Sequence, residues 1–356
     1  MSTATIEPGT APLKAADFRS DQEVRWCPGC GDYAILNAFA AVLPKIGVRK
    51  ENIAVVSGIG CSSRFPYYMD TYGFHGIHGR APAIATGLKA TRPELQVWVV
   101  TGDGDGLSIG GNHLIHALRR NADIKILLFN NRIYGLTKGQ YSPTSEVGKR
   151  TASSPYGSVE RPFNPLALAL AAEATFVARS VDVYKDHLQG VLTRAAQHRG
   201  SAFVEIYQNC NIFNDGAFSS ITERELRETN NIQIEHDQPL VFGAKGARKG
   251  LRRKGGSGPI EVVDLPEGAD TSAILRHDET AQDQGLAYSL SHLEPPSYPA
   301  PIGVFRCVDL PTFEDRIWGQ IKDAQEKKPG ANLASLLERG DVWEVGEDGK
   351  IEELAG

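Results

Sequence analysis

In 356 residues the chain sets 38 Lys and Arg against 43 Asp and Glu, a net charge of −5, which gives no reason to expect nucleic acid or an anionic membrane as the main partner. That length suffices for one large core, or a core with an appended lobe, and no stretch approaches the roughly twenty apolar residues of a membrane span. Five cysteines, an odd number, argue for metal binding or reactivity over disulfides; the polar N-terminus lacks a basic end followed by an apolar run, so a cytoplasmic location is expected.

Residues 1–22, rich in Pro, Ala and Thr, are expected to form an extended arm. A helix is predicted over 32–43, with Ile35, Leu36, Phe39, Ala40 and Leu43 on one face and Pro44 and Gly47 ending it. A strand over 53–56 runs into Gly58-Ile59-Gly60-Cys61-Ser62-Ser63, where glycines let the backbone approach a ligand. His78-Gly79-Arg80 then leads into a small-residue helix over 82–90. Residues 96–101 are short and β-branched enough for a buried strand, and Gly102-Asp103-Gly104-Asp105-Gly106 follows it. A helix over 107–120 and a second buried strand over 124–129 bring Asn130-Asn131 to the same edge. Strand, glycine turn, helix, parallel strand make a βαβ unit, and ligands sit at the carboxyl ends of such strands.

The 132–165 segment is a Gly, Pro, Ser and Thr-rich loop, long enough to suggest function. A helix over 165–174, a strand over 175–178, a helix over 185–199 and a strand over 202–207 continue the α/β alternation towards Cys210. Beyond 230 the texture changes. A basic, Gly-rich stretch with Lys245, Arg248, Lys249, Arg252, Arg253 and Lys254 precedes a strand over 260–265, a helix over 271–292 and a proline-rich turn over 295–301. The expected organisation is an arm (1–22), an α/β domain (23–230) and an irregular C-terminal extension (231–356) that makes subunit contacts. The basic run reads either as a solvated hairpin or as a seat for an acidic partner.

The edge after 101 suits Mg²⁺ bridged to a diphosphate. Mg²⁺ takes near-octahedral oxygen, commonly one or two protein oxygens with phosphates and water. Asp103 offers an anionic oxygen between glycines, Asn131 an amide oxygen, and Ile133 a carbonyl. Cys27-x-x-Cys30, Cys61 and Cys210 are far apart in sequence, but three of the positions fall near strand ends or their turns; thiolates there would hold zinc or a [4Fe–4S] cluster, or a CxxC would cap a helix beside two buried, unliganded thiols, and spacing does not choose among these. Cys307 matches neither pattern.

Gly102-Asp103-Gly104 followed by Asn130-Asn131 resembles the thiamine diphosphate motif. The wider set, Trp26-Cys27-Pro28-Gly29-Cys30-Gly31-Asp32, Ser57-Gly58-Ile59-Gly60-Cys61-Ser62, His78-Gly79-Arg80-Ala81 and Tyr134-Gly135-Leu136-Thr137-Lys138-Gly139-Gln140, resembles the β subunit of 2-oxoacid:ferredoxin oxidoreductases, most nearly the 2-oxoglutarate type. The resemblance implies the diphosphate-binding domain of the thiamine diphosphate fold, a mostly parallel sheet with helices on both faces. It implies thiamine diphosphate held by Gly60, Cys61, Ser62, Ser63, His78, Gly102, Asp103, Gly104, Asp105, Asn131, Ile133, Gly135, Leu136 and Thr137, with Mg²⁺ on Asp103, Asn131 and Ile133. It also chooses a [4Fe–4S] cluster for Cys27, Cys30, Cys61 and Cys210.

The implied activity is oxidative decarboxylation of 2-oxoglutarate with coenzyme A to succinyl-CoA and CO₂, electrons passing through the cluster to ferredoxin; pyruvate or another 2-oxoacid is the alternative. His78 and Arg64 are the catalytic candidates, and Arg64, Leu136 and Lys138 the substrate-selecting ones, the guanidinium suiting a distal carboxylate. The glutamate that activates the cofactor in this fold class is not evident; Glu51 reads as a surface residue of a helix–strand loop. A partner α subunit is therefore expected to supply it, in an α2β2 assembly.

Overall fold

The computed structural model describes residues 13–354 apart from 329, 331 and 338. In chain order the elements are α1 (Asp32–Val42), β1 (Ile53–Ser57), β2 (Tyr72–His75), α2 (Ala81–Thr91), β3 (Gln96–Gly102), α3 (Gly111–Arg119), β4 (Ile124–Asn130), α4 (Pro165–Ala171), β5 (Phe176–Val181), α5 (Lys185–Gln197) and β6 (Ala202–Tyr207). One-turn helices α6 (Ser219–Thr222) and α7 (Arg227–Asn230) lead to β7 (Asn231–Ile234) and to β8 (Gln238–Pro239), β9 (Val241–Phe242), β10 (Lys249–Arg253), β11 (Ile260–Asp264) and β12 (Arg276–His277). Then come α8 (Gly285–Ser291) and β13 (Ala300–Cys307).

The central sheet has eight strands in the order β2-β1-β3-β4-β6-β5-β13-β7. The first six run parallel, and β13 turns antiparallel to β5 and carries β7 beside it. Strand alternation sorts side chains between two cores. On β3, Val97 and Val99 pack with Ala81, Ala85, Leu114 and Leu170 from α2, α3 and α4. Trp98 and Val100 point the other way, towards Ile35, Leu36 and Phe39 of α1 and Leu188 and Leu192 of α5. Phe39 meets Trp98 edge to face at 4.9 Å, so truncating Phe39 to Ala costs about 3–5 kcal/mol.

Five expectations change in the structure. The arm falls partly outside the described residues, since 1–12 are not described, but Ala15–Phe18 forms a 3-10 turn and Phe18 is fully buried in the α1-side core. The helix expected from 107 begins instead with a π-turn over Asp105–Ile109, in which Gly110 N–H donates to Asp105 O at 2.9 Å, and α3 starts only at Gly111. The boundary drawn at 230 also shifts: the first compact unit runs to Phe313, because β7 and β13 complete the sheet and Leu251, Ile274, Leu290 and Phe305 join the α4-side core. The helix expected over 271–292 is confined to α8, and the run read as a proline-rich turn leads straight into the eight-residue β13. The second unit, Glu314–Gly356, holds most of α9 (Phe313–Lys327), α10 (Leu333–Leu337) and the hairpin of β14 (Val342–Val345) and β15 (Ile351–Leu354). Among the described residues no helix is long and apolar enough to cross a membrane.

Candidate active site

Because β1, β3, β4 and β6 are parallel, the segments after Ser57, Gly102, Asn130 and Tyr207 gather along one edge. The first three enclose a cavity of about 580 Å³. Asp103 lines it and is buried; its Oδ2 accepts hydrogen bonds from Ser142 Oγ and Thr144 Oγ1, each at 2.5 Å. Burial still pushes the Asp103 carboxyl up to about 6, the condition of a carboxylate that gains from a cation beside it. Asn131 lines the same cavity, and its Oδ1 accepts from Ile133 N–H at 3.1 Å, leaving its second lone pair.

Asp105 is a hub. Its Oδ1 accepts from the main-chain N–H groups of Gly79 (2.8 Å) and Ile59 (3.2 Å), and its Oδ2 from Thr101 Oγ1 (2.7 Å). One buried carboxylate thus ties the loops after β1 and β2 to the end of β3. Gly58 and Gly79 make room for this: a Cβ on Gly58 would lie 2.0 Å from Asp105 Oδ2, and one on Gly79, at φ +67°, 2.3 Å from Gly110 N. Gly60, at φ +131°, has open space where its Cβ would be and lines the cavity, so it is the glycine of this turn that offers its backbone to a ligand.

A second cavity of about 200 Å³ is lined by Cys27, Cys30, Cys61 and Cys210. Asp32, Cys61, Asn131, Gly135 and Leu136 line both cavities, so the two share a wall. A Cβ on Gly135 would lie 3.5 Å from Cys210 Sγ and 3.6 Å from Cys61 Sγ, which puts these sulfurs within about 7 Å of each other. Among the described residues no three His, Cys, Asp or Glu side chains are gathered so as to hold a single metal ion. Burial, reinforced by the neighbouring Asp32 carboxylate, pushes the Cys61 thiol up to about 12 and raises Cys30 further.

The model of the thiamine pyrophosphate enzyme C-terminal TPP binding domain matches residues 58–206, the span that begins just after β1, runs into β6 and carries most of the cofactor cavity. The 2-oxoglutarate oxidoreductase subunit KorB of Mycobacterium tuberculosis is 56% identical over 337 residues, covering 94% of this chain and 89% of that one. The 2-oxoglutarate synthase subunit KorB of Archaeoglobus fulgidus is 41% identical over 221 residues, 61% of this chain and 82% of the relative. A solved 2-oxoglutarate:ferredoxin oxidoreductase from Magnetococcus marinus, with 2-oxoglutarate, coenzyme A and succinyl-CoA bound, superposes with a TM-score of 0.71 at 33% identity over 93% of this chain and 98% of that one. The chain belongs to the 2-oxoacid:ferredoxin oxidoreductase β subunits.

The other residues singled out in this β subunit fall in three groups. Gly60, Cys61, Ser62, His78, Gly102, Gly104, Ile133, Gly135, Leu136 and Thr137 line the cofactor cavity, as does Asp105 through its edge. His78 is largely exposed there, with Nδ1 3.7 Å from Asp105 Oδ1. Arg64 and Lys138 line the cysteine cavity instead; Arg64 also lines an open groove that shares Ile59, Gly60 and Leu136 with the cofactor cavity, and donates to Arg25 O at 3.1 Å. Ser63 belongs to neither cavity: it is fully buried, and its carbonyl accepts from Ser57 Oγ at 2.7 Å with His75 Nδ1 2.9 Å away. Its expected contact with the cofactor is therefore replaced by a role in holding the turn. Glu51 is an exposed partner of Arg49 just before β1, at the opposite end of the strand from the cavity, and among the described residues no glutamate lines that cavity. The basic hairpin carries its own counter-charges: Arg252 pairs with Glu261 at 2.8 Å, and Lys249 lies opposite Asp264 across the ladder.

Several functional neighbours had no sequence signal of their own. Ser142 and Thr144, which hold Asp103, lie in the long loop, where Ser and Thr look like ordinary loop composition. Tyr134 fills the space that the missing Cβ of Gly104 leaves, its ring 2.1 Å from where that atom would be, and donates to Gly104 O at 3.2 Å. Asp32, read as a helix-starting residue, is buried between the two cavities, and desolvation pushes its carboxyl up to about 7.

Proposed function

We propose that this chain is the catalytic β subunit of a 2-oxoglutarate:ferredoxin oxidoreductase, which with an α subunit converts 2-oxoglutarate and coenzyme A to succinyl-CoA and CO₂ and passes the electrons to ferredoxin. One observation carries the reading: a cofactor cavity and a four-cysteine cavity back onto the same five residues, Asp32, Cys61, Asn131, Gly135 and Leu136. Thiamine diphosphate, when bound, supplies the electron sink that lets the substrate lose CO₂. Asp103, Asn131 and the Ile133 carbonyl would hold Mg²⁺, since a buried carboxylate with amide and carbonyl oxygens is a donor set for a hard cation. Gly60, Gly102 and Gly135 keep the wall free of side chains where the ligand must come close.

The four cysteines would hold a [4Fe–4S] cluster. Thiols spread around a cavity of about 200 Å³ suit a polynuclear centre better than one zinc ion, which draws its sulfurs to about 2.3 Å. Arg64, at the junction of the groove and the cysteine cavity, would pair with the distal carboxylate of 2-oxoglutarate, while Leu136 and Lys138 shape the pocket. His78, at the cavity mouth, is in place to hydrogen-bond the reacting substrate. The activating glutamate would come from the α subunit, and pairs of αβ units would form an α2β2 enzyme. All five cysteines are free, in keeping with a cytoplasmic location.

Co-purified with its α subunit, the enzyme is expected to be brown, with a shoulder near ~400 nm that dithionite bleaches, and to oxidise 2-oxoglutarate in preference to pyruvate. A colourless, zinc-containing preparation, or equal turnover of the two acids, overturns the corresponding part. Arg64→Ala should raise KM for 2-oxoglutarate roughly 10- to 100-fold, the worth of a charged hydrogen-bond pair, and leave that for pyruvate little changed. Equal losses with both acids would remove Arg64 from substrate selection.

A further inference from the structure

Gln208, the first residue beyond β6, is 2% exposed and lines the cysteine cavity. Its main-chain N–H donates to Asn130 O at 2.9 Å, so its backbone is clamped to the end of β4, one residue before Asn131. From there its side-chain Nε2 donates to Asn209 O at 2.7 Å and to Cys30 Sγ at 3.3 Å. A carboxamide nitrogen has two N–H bonds, and here each meets an acceptor. Turning the amide over would set Oε1 against a carbonyl oxygen and a ligand thiolate, so the neighbours decide which way it points. Trp26, on the same cavity, gives its single N–H to Cys61 O at 2.7 Å and not to a sulfur.

We propose that Gln208 is a positioning residue that sets the reduction potential of the iron–sulfur cluster through its N–H···S bond to Cys30; the proposal rests on the [4Fe–4S] reading above. When the oxidised cluster accepts one electron, a negative charge is added to the iron–sulfur core and its thiolates. An N–H aimed at a ligand sulfur stabilises the reduced state more than the oxidised one, so it raises the potential, and burial at a low local dielectric enlarges the effect. The anchor at Asn130 ties this donor to the loop that carries Asn131, so the tuning group and the cofactor cavity rest on the same strand end.

The test uses the αβ complex, purified without oxygen, as wild type, Gln208→Met and Gln208→Leu. Methionine keeps the unbranched stem and length and lacks the N–H; leucine is the second apolar replacement in case one variant folds poorly. Iron and acid-labile sulfide are counted first, then the potential is read by electron paramagnetic resonance during a dithionite titration. Both variants should keep the wild-type iron and sulfide content and shift the one-electron reduction equilibrium about tenfold towards the oxidised cluster, ~59 mV lower. A full cluster with an unchanged potential in both variants overturns the proposal. Loss of the cluster from both also overturns it, because one donor to one sulfur is not needed to keep four thiolate ligands. A wild-type complex without iron and sulfide removes the cluster assignment itself, which is a different failure.

Discussion

Asp103 shows how a single residue trades stability for a site. Its carboxyl, buried and pushed up to about 6, stays protonated in the folded chain over a range in which the unfolded chain has already ionised it. Stability of the metal-free protein from this group therefore falls as pH rises from about 4 to about 6, by roughly 3 kcal/mol in all. His187 and His198, buried and held down to about 4, act in the opposite sense: their contribution is present above the usual imidazole range and is lost as pH falls towards 4. The wild-type profile mixes both, so a neutral isostere separates them. Asp103→Asn should stabilise the metal-free chain at pH 7–8 by up to ~3 kcal/mol in urea denaturation, and it should lose the extra stability that Mg²⁺ and thiamine diphosphate confer on the wild type. An undiminished ligand effect in the variant would take Asp103 out of the metal site. Asp105 is the contrasting case, since its oxygens serve the protein. Asp105→Ala leaves a buried and a half-buried main-chain N–H and a buried hydroxyl without their acceptor and is expected to lower stability by ~2–5 kcal/mol, seen as a lower Tm before any ligand is added.

Among the elements, the join between the loop after β2 and the start of α3 decides whether the cavity keeps its shape. The π-turn leaves Gly110 back to back with Gly79, and its extra residue turns the Asp105 side chain inward. π-Bulges are rare and gather at functional sites, where they re-aim a side chain. Gly79→Ala combines a left-handed φ of +67° with a Cβ 2.3 Å from Gly110 N, so it should cost ~2–4 kcal/mol and weaken thiamine diphosphate binding. Gly87→Ala, on the exposed face of α2 with nothing within 4 Å of the new methyl, should instead stabilise by ~0.5–1 kcal/mol. Thermal melts of the two variants, with and without ligand, check both signs. The loop between β4 and α4 is ordered for the same reason the cavity is. Ser142 and Thr144 hold Asp103, Ser145 Oγ donates to Arg132 O at 2.6 Å, and Gly148 and Ser158 close it on itself.

For the whole molecule, the proposed chemistry still needs a glutamate, since among the described residues no glutamate lines the cofactor cavity. The glutamate considered for that role, Glu51, lies at the far end of β1 from the site. The isolated chain with Mg²⁺ and thiamine diphosphate is therefore expected to show no 2-oxoacid oxidation, and addition of the α subunit should restore it; turnover by the isolated chain would sink the two-subunit account. The parallel sheet also explains why one edge carries two cavities. Strands that all point one way deliver the cofactor loops after β1, β3 and β4 and the Cys210 turn after β6 to a common rim.

The βαβ unit, the strand-end position of Asp103 and Asn131, and the family were legible in the residues themselves, because hydrophobic period and glycine turns are local properties. So were the four cysteines as a set, although their spacing left zinc and a cluster open. Other features depend on contacts between distant segments. Ser142 and Thr144 look like loop residues until the fold brings them 2.5 Å from Asp103, and Ser63 reads as part of a ligand turn until packing buries it. Asp105 seems a second ligand until three segments are seen to hang from it. The eight-residue β13 was hidden because a strand between two others needs no alternation, and Pro301 with the prolines just before the strand suggested a turn. Composition and pattern determined which chemistry the chain carries; only the tertiary structure decided which oxygens are free to perform it, since a hydrogen bond across forty residues leaves no trace in the order of the residues between.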